Sequence, residues 1–114
     1  MICKRGEIHL VDWSPGRGSE QAGIRPALII QNDVGNEHSP TTIVAAVSTR
    51  VKKVYPFHVL ITPEESGLDR PSVVKLEQLM TIDKTRLVKK VGTLSEEKME
   101  EVDRAIHLSL GLKF

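Results

Sequence analysis

Residues 94–111 read LSEEKMEEVDRAIHLSLG, and they decide the fold because everything before them keeps a different period. Met99, Val102, Ala105, Ile106, Ser109 and Leu110 recur at the spacing of three and four that lines one face of an α-helix. Ser95 stands where an N-cap hydroxyl accepts from an unpaired backbone N–H, and Glu96 and Glu97 occupy the first turn, where negative charge suits the helix dipole. Leu94 and Met99 flank that cap at the spacing of a hydrophobic staple, and Gly111 follows as a natural stop. The spacing therefore predicts one closing helix with an acidic, solvated outer face.

Upstream, the runs are short, rich in Val, Ile and Thr, and punctuated by Gly, Pro, Asn and Asp. EIHLVDW (7–13) alternates Ile8 and Leu10 with Glu7 and His9, which predicts a solvent-facing His9. PALIIQN (26–32) and TTIVAAV (41–47) are continuous apolar runs of strand length, and FHVLIT (57–62) and SVVKLEQ (72–78) follow Pro56 and Pro71. Five or six strands and one terminal helix predict a mainly β fold, a small, strongly bent sheet or barrel covered by that helix. At 114 residues and 39% hydrophobic composition the chain suits one core, so residues 1–114 are expected to form a single domain.

Composition narrows the function classes. Lys4, Arg5 and Glu7 sit where a signal peptide needs an apolar stretch, so neither export nor a membrane span is expected, and the cytoplasm is the expected compartment. A lone cysteine, Cys3, can form no internal disulfide and no thiolate zinc site. The carboxylates show no DxD or EF-hand pattern and the histidines no close pair, so no metal or other cofactor is expected. The net charge of +1 is unevenly spread: residues 1–94 carry a balance of +3 and residues 95–114 one of −2, which allows a modest anion-attracting face away from the helix.

Three polar clusters could serve such a face. The twelve residues SPGRGSEQAGIR (14–25) lack apolar patterning, and a loop of that length in a compact domain is functional or disordered. Its glycines allow close backbone approach to a ligand, Glu20 and Gln21 offer acceptors and donors, and Arg25 is biased to extended backbone by Pro26. Ser48, Thr49 and Arg50 end an apolar strand, with Lys52 and Lys53 following; hydroxyls beside cations suit phosphate oxygens. Glu77 and Gln78 close another strand and echo Glu20 and Gln21. Among the histidines, His58, directly after YPF, has the best claim to a site.

RGEIHLVDWSP, GSEQAGIRPALIIQND, IVAAVST, YPFHV, LEQLMTIDKTRL and the final helix together resemble the MazF/PemK family of toxin ribonucleases over essentially the whole chain. The resemblance implies an SH3-like barrel (the CcdB/PemK-like toxin fold) assembled as a homodimer, with single-stranded RNA in grooves at the dimer interface. It implies sequence-specific, metal-independent cleavage, and neutralisation by a MazE-like antitoxin whose disordered tail fills the groove. The family's catalytic arginine falls on Arg25 and its catalytic threonine on Ser48. Serine there is a departure that keeps the hydroxyl and loses the methyl that stiffens χ1. A register different by one would bring Thr49 in its place.

Attack by the RNA's own 2′-hydroxyl builds a phosphorane with extra negative charge, and would leave a 2′,3′-cyclic phosphate and a 5′-hydroxyl. Arginine stays protonated at neutral pH, so Arg25 is assigned to charge stabilisation and Ser48 to a phosphate oxygen, with the 2′-proton going to Glu20, His58 or solvent. Arg17, Ser19, Glu20 and Gln21 are the loop's candidate RNA contacts, joined by Arg50, Lys52, Glu77 and Gln78; single-stranded RNA is read on splayed bases by such groups. A non-enzymatic gyrase inhibitor of the same fold is the alternative, but such inhibitors hold their target with a C-terminal Trp-Gly-Ile end, whereas this chain ends LGLKF and its only tryptophan is Trp13. A peptide-binding module of that fold would need more aromatics than Trp13, Tyr55, Phe57 and Phe114.

Overall fold

A computed structural model describes residues 2–14 and 23–113. Six strands, β1 (Glu7–Asp12), β2 (Ile24–Ile29), β3 (Thr41–Ser48), β4 (His58–Ile61), β5 (Ser72–Asp83) and β6 (Leu87–Thr93), form one antiparallel sheet in the order β4-β5-β3-β2-β1-β6. Two short helices, α1 (Asp33–His38) and α2 (Pro63–Ser66), and a 3-10 turn at Lys84–Arg86 join the strands; α3 (Glu96–Leu110) ends the fold.

Alternation gives the sheet two apolar faces, each with its own cluster. Ile8, Leu28, Ala45, Val47, Val59, Ile61, Val74 and Leu76 share one face with Leu94, Met99, Val102 and Ala105. Fully burying Val102 there contributes about 1.5–3 kcal/mol. On the other face Val11, Trp13, Ala27, Ile29, Val44, Ile82 and Leu87 pack with Cys3, whose thiol burial pushes above its ordinary range. Cys3 is thus core, not a reactive thiol.

The two edges of the sheet are drawn together at one tight contact. The α2 turn leaves the β4 edge and packs on β6, the opposite edge, so closely that a methyl on Gly67 would fall on the Val91 carbonyl and one on Gly92 on the Ser66 carbonyl. Gly67 also adopts the left-handed conformation, φ 78°, as the C-cap of α2. That contact curls the sheet into the bent, barrel-like shape expected from the sequence. The radius of gyration, 13.2 Å, is what about 114 residues in one compact body require.

Several expectations meet corrections. His9 is buried, 1% exposed, because β1 lies between β2 and β6 and both faces of the sheet are covered; its Nε2 lies 2.9 Å from Glu7 Oε1, and Lys90 reaches Glu7 at 3.1 Å. Burial of Glu7 disfavours its charge, but hydrogen bonds from His9, the Lys4 backbone N–H and Lys90 outweigh that and hold its carboxyl below the usual range. The run PALIIQN does not stay extended to Asn32: β2 starts at Ile24 and stops at Ile29, and the Asn32 side chain accepts from Gly35 N–H at 2.8 Å to cap α1.

Pro26 sits within β2 where only β1 pairs with it, the β3 ladder beginning at Ala27. On α3, Ser95 caps by accepting from Lys98 N–H, and Met99, Val102 and Ala105 are buried. Leu110, the last residue of the helix, is instead 56% exposed, while the Ser109 hydroxyl before it donates to the Leu76 carbonyl at 2.7 Å.

Candidate active site

The register of the sheet decides which of the candidate side chains meet. β2 and β3 pair as Ala27↔Ala46, Leu28↔Ala45 and Ile29↔Val44. Continued by two residues, that register sets Arg25 opposite Ser48. Both fall on the face of Ala27, Ala46 and Val44, opposite the α3-covered side, two residues beyond the last paired positions of the two strands. Arg25 is exposed and Ser48 half-buried. Thr49 lies one residue past β3 and is exposed, so the observed register favours Ser48 as Arg25's neighbour.

Ser48 is also oriented. Its Oγ accepts the Arg50 backbone N–H at 3.1 Å, which occupies a lone pair and leaves the hydroxyl proton to be donated outward. Arg50 and Lys52 are exposed on the segment that follows.

That segment ends in a turn. The Tyr55 carbonyl accepts from His58 N–H at 2.8 Å, with Pro56 at the second position that a β-turn favours. The turn stacks Tyr55 on Phe57, ring centroids 5.4 Å apart and nearly parallel, and sets both edge-on to His58. Lys53 Nζ lies 4.9 Å from the Tyr55 ring centroid. His58 Nδ1 accepts the Tyr55 N–H at 3.2 Å, so the ring proton is assigned to Nε2, which donates to both carboxylate oxygens of Glu77 at 3.0 and 3.1 Å. Both ring nitrogens are therefore engaged. This arrangement suits His58 to holding Glu77 in place better than to accepting a proton, and it leaves Glu77, partly exposed, to present its carboxylate. Gln78 is half-buried beside it.

Arg17, Ser19, Glu20 and Gln21 lie outside the described residues. The mouth of their loop is visible: Trp13 N–H donates to the Gly23 carbonyl at 2.8 Å, and Arg86 Nη1 donates to the carbonyls of Asp12 at 3.0 Å and Ser14 at 2.9 Å. Asp12, Trp13, Ser14 and Gly23 are thus tied down next to the point where β2 delivers Arg25. Arg86 and the Tyr55–Phe57 stack escaped the sequence analysis. The aromatics carried a usable signal, two rings spaced by a proline beside two lysines; Arg86 carried none, because its partners are distant carbonyls. Among the described residues no group of three or more His, Cys, Asp or Glu is arranged to hold a metal ion.

A curled antiparallel sheet with a terminal helix, bearing an arginine and an oriented hydroxyl on neighbouring strands, defines a class of small, mainly β proteins. The model of the PemK-like, MazF-like toxins of type II toxin–antitoxin systems matches residues 4–110, and the chain belongs to that family. The Endoribonuclease MazF of Staphylococcus saprophyticus is 54% identical over 112 residues, covering 97% of this chain and 93% of that protein. Two solved structures share the fold. The Mycobacterium tuberculosis toxin MazF-mt6 has a TM-score of 0.81 and 25% identity over 95% of this chain and 99% of its own. An endoribonuclease in complex with its cognate antitoxin from a mycobacterial species has a TM-score of 0.82 and 22% identity over 98% of each chain.

Proposed function

We propose that this chain is a sequence-specific endoribonuclease, the toxin of a type II toxin–antitoxin pair, acting as one domain of residues 1–114. It cuts single-stranded RNA without a metal cofactor, arrests translation and growth, and is neutralised by a MazE-like antitoxin that competes for the RNA surface. The likeness to the staphylococcal endoribonuclease supports the activity. The observation that carries the mechanism is the β2–β3 register, which supports Arg25 and Ser48 acting on one phosphate from adjacent strands.

In this mechanism the substrate's 2′-hydroxyl attacks the adjacent phosphorus. Arg25 offers a fixed positive fork to the equatorial oxygens as charge accumulates, while Ser48 donates its hydroxyl proton as a hydrogen bond to a non-bridging oxygen. The P–O5′ bond breaks and the leaving O5′ takes a proton from the Arg25 guanidinium or from solvent, which leaves a 2′,3′-cyclic phosphate and a 5′-hydroxyl. Glu77, held by His58, offers acceptors to a base edge, and Arg50 and Lys52 supply charge to the backbone. Glu20 or solvent takes the 2′-proton; Ser19, Glu20 and Gln21 read bases, and Arg17 contacts a phosphate.

The homodimer has support in large apolar side chains left exposed on strands, among them Ile24, Ile43 and Val88. No helix among the described residues is long and apolar enough to cross a membrane, and a cytoplasmic location is part of the proposal.

The test is a long single-stranded RNA incubated with the protein in EDTA, with cut ends sequenced and their chemistry assayed. Discrete cuts with cyclic-phosphate ends are expected, abolished by Arg25→Ala in a folded protein and by one deoxynucleotide 5′ of the cut. Random degradation that needs added metal, or cutting that survives the deoxy substitution, overturns the proposal.

A further inference from the structure

Lys75 belongs to the site face, yet nothing in the mechanism uses it. It pairs with His58 on β4 and with Ala46 on β3, and its strand neighbours Val74 and Leu76 point to the α3 side. Alternation therefore turns Lys75 to the face that holds Ser48, Arg25, His58 and Glu77. Ser48 pairs with Val73, two residues along the same strand, so Ser48 and Lys75 are diagonal neighbours, with Cβ atoms of such pairs about 7–8 Å apart or somewhat less. The four-carbon stem of a lysine spans that gap.

Charge points the same way. The carboxylate nearest in register, Glu77, is paired with His58 and not with Lys75. Lys75 is half-buried, and its ammonium makes no hydrogen bond or ion pair with any described residue. A partly buried cation without a counter-ion, one diagonal step from an oriented hydroxyl, awaits an anion.

Resting on the RNA-cleaving mechanism above, we propose that Lys75 is a backbone-binding residue that holds the phosphate next to the scissile one, on the β4–β5 side of Ser48. Arg25 and Ser48 act on the reacting phosphorus; Lys75 fixes the strand's register across it. The side chain is a specificity and positioning element, since a strand gripped at two successive phosphates must present its bases in one frame to Glu77 and Gln78.

The experiment uses full-length protein and an RNA containing the mapped cut site, made uncleavable by one 2′-deoxynucleotide. Binding is measured between about 50 and 200 mM salt for wild type, Lys75→Met and Lys75→Arg, with thermal melting as the folding control. One lost phosphate contact lowers the salt slope by about 0.7, so wild-type affinity should fall about 2.5-fold more than that of Lys75→Met across this range. At the low-salt end Lys75→Met should bind about tenfold more weakly, and Lys75→Arg should restore both readouts.

A neutral methylphosphonate walked along the RNA locates the contact: at the phosphate adjacent to the cut it should weaken wild type and leave Lys75→Met unaffected. An unchanged slope in Lys75→Met overturns the assignment, and so does coupling that maps to the scissile phosphate itself. A wild-type protein that neither cuts nor binds the RNA overturns the RNA reading and the Lys75 assignment together, whereas tight wild-type binding with an unaltered Lys75→Met overturns the second alone.

Discussion

Ser48→Ala separates a hydroxyl that serves the reacting phosphate from one that merely closes a turn. In the folded chain Ser48 Oγ accepts one hydrogen bond, the 3.1 Å contact from Arg50 N–H, and Arg50 is exposed. Removing the oxygen costs that bond, about 0.5–1.5 kcal/mol at most and less where water can replace it. For a domain of this size that is a fall in melting temperature of about 2–6 °C at most. Loss of a preorganised donor to a developing anion costs about 100- to 1000-fold in rate. Single-turnover cleavage of an end-labelled RNA should therefore slow by two to three orders of magnitude in a protein that melts almost normally. Ser48→Thr should cut within a few-fold of wild type, because the added methyl restricts χ1 without removing the donor. If Ser48→Ala cuts within tenfold of wild type, or loses activity only in step with a large loss of stability, the hydroxyl is a turn element and the pairing with Arg25 has no chemical meaning.

Three further outcomes follow from the same geometry. Gly92→Ala drives a methyl into the Ser66 carbonyl and should destabilise the fold by about 3 kcal/mol in chemical denaturation; an unperturbed midpoint would mean that the two sheet edges do not meet as described. Glu7 has its carboxyl depressed below the ordinary range, so its contribution is fully present above the unfolded value of about 4.3 and is lost as pH falls through the lower folded value. Glu7→Gln should cost about 1–3 kcal/mol at neutral pH, and its stability should fall less steeply than wild type's below about pH 4.3; parallel stability–pH curves would remove Glu7 from the acid response. Tyr55→Ala takes away an exposed ring that a splayed base can cover in exchange for the Lys53 ammonium. RNA affinity should drop by about 1–3 kcal/mol with folding unchanged, and equal affinity would restrict the aromatic stack to holding its own turn.

Much of this was legible in the sequence, for local physical reasons. The period of α3, its Ser95 cap and its Gly111 stop depend on residues within a few positions of one another, and the structure reproduces them. Arg25 and Ser48 stood out because each ends or begins an apolar run beside other polar groups. What the sequence hid depends on pairings between distant residues. His9 alternates as a surface residue should, but an interior strand covered on both faces has no surface. The α2 capping box of Thr62 and Glu65, with Pro63 first in the helix, was a readable signal that the apolar run before it obscured. β6, LVKKVGT, reads as neither period because part of it faces solvent while Leu87 and Val91 pack inward.

The site also owes its shape to an irregularity that no local pattern announces. Across β3 and β5, Ala45 pairs with Leu79 while the next residue, Ala46, pairs with Lys75, so Leu76, Glu77 and Gln78 are left without partners on β3. Such bulges bend a strand and re-aim side chains. Leu76 N–H, inside the bulge, finds the Phe57 carbonyl at 3.2 Å, which ties the bulge to the turn that carries Tyr55, Phe57 and His58. The turn in turn supplies the imidazole that both Glu77 oxygens need. Bulge and turn thus stabilise each other, and they meet on the sheet face where Lys75, one residue before the bulge, keeps a cation in reach of Ser48. A regular ladder would pair these three residues with β3 and dissolve the acceptor, the aromatic stack and their spacing at once; the interruption of the sheet is what makes a surface that can grip a strand of RNA.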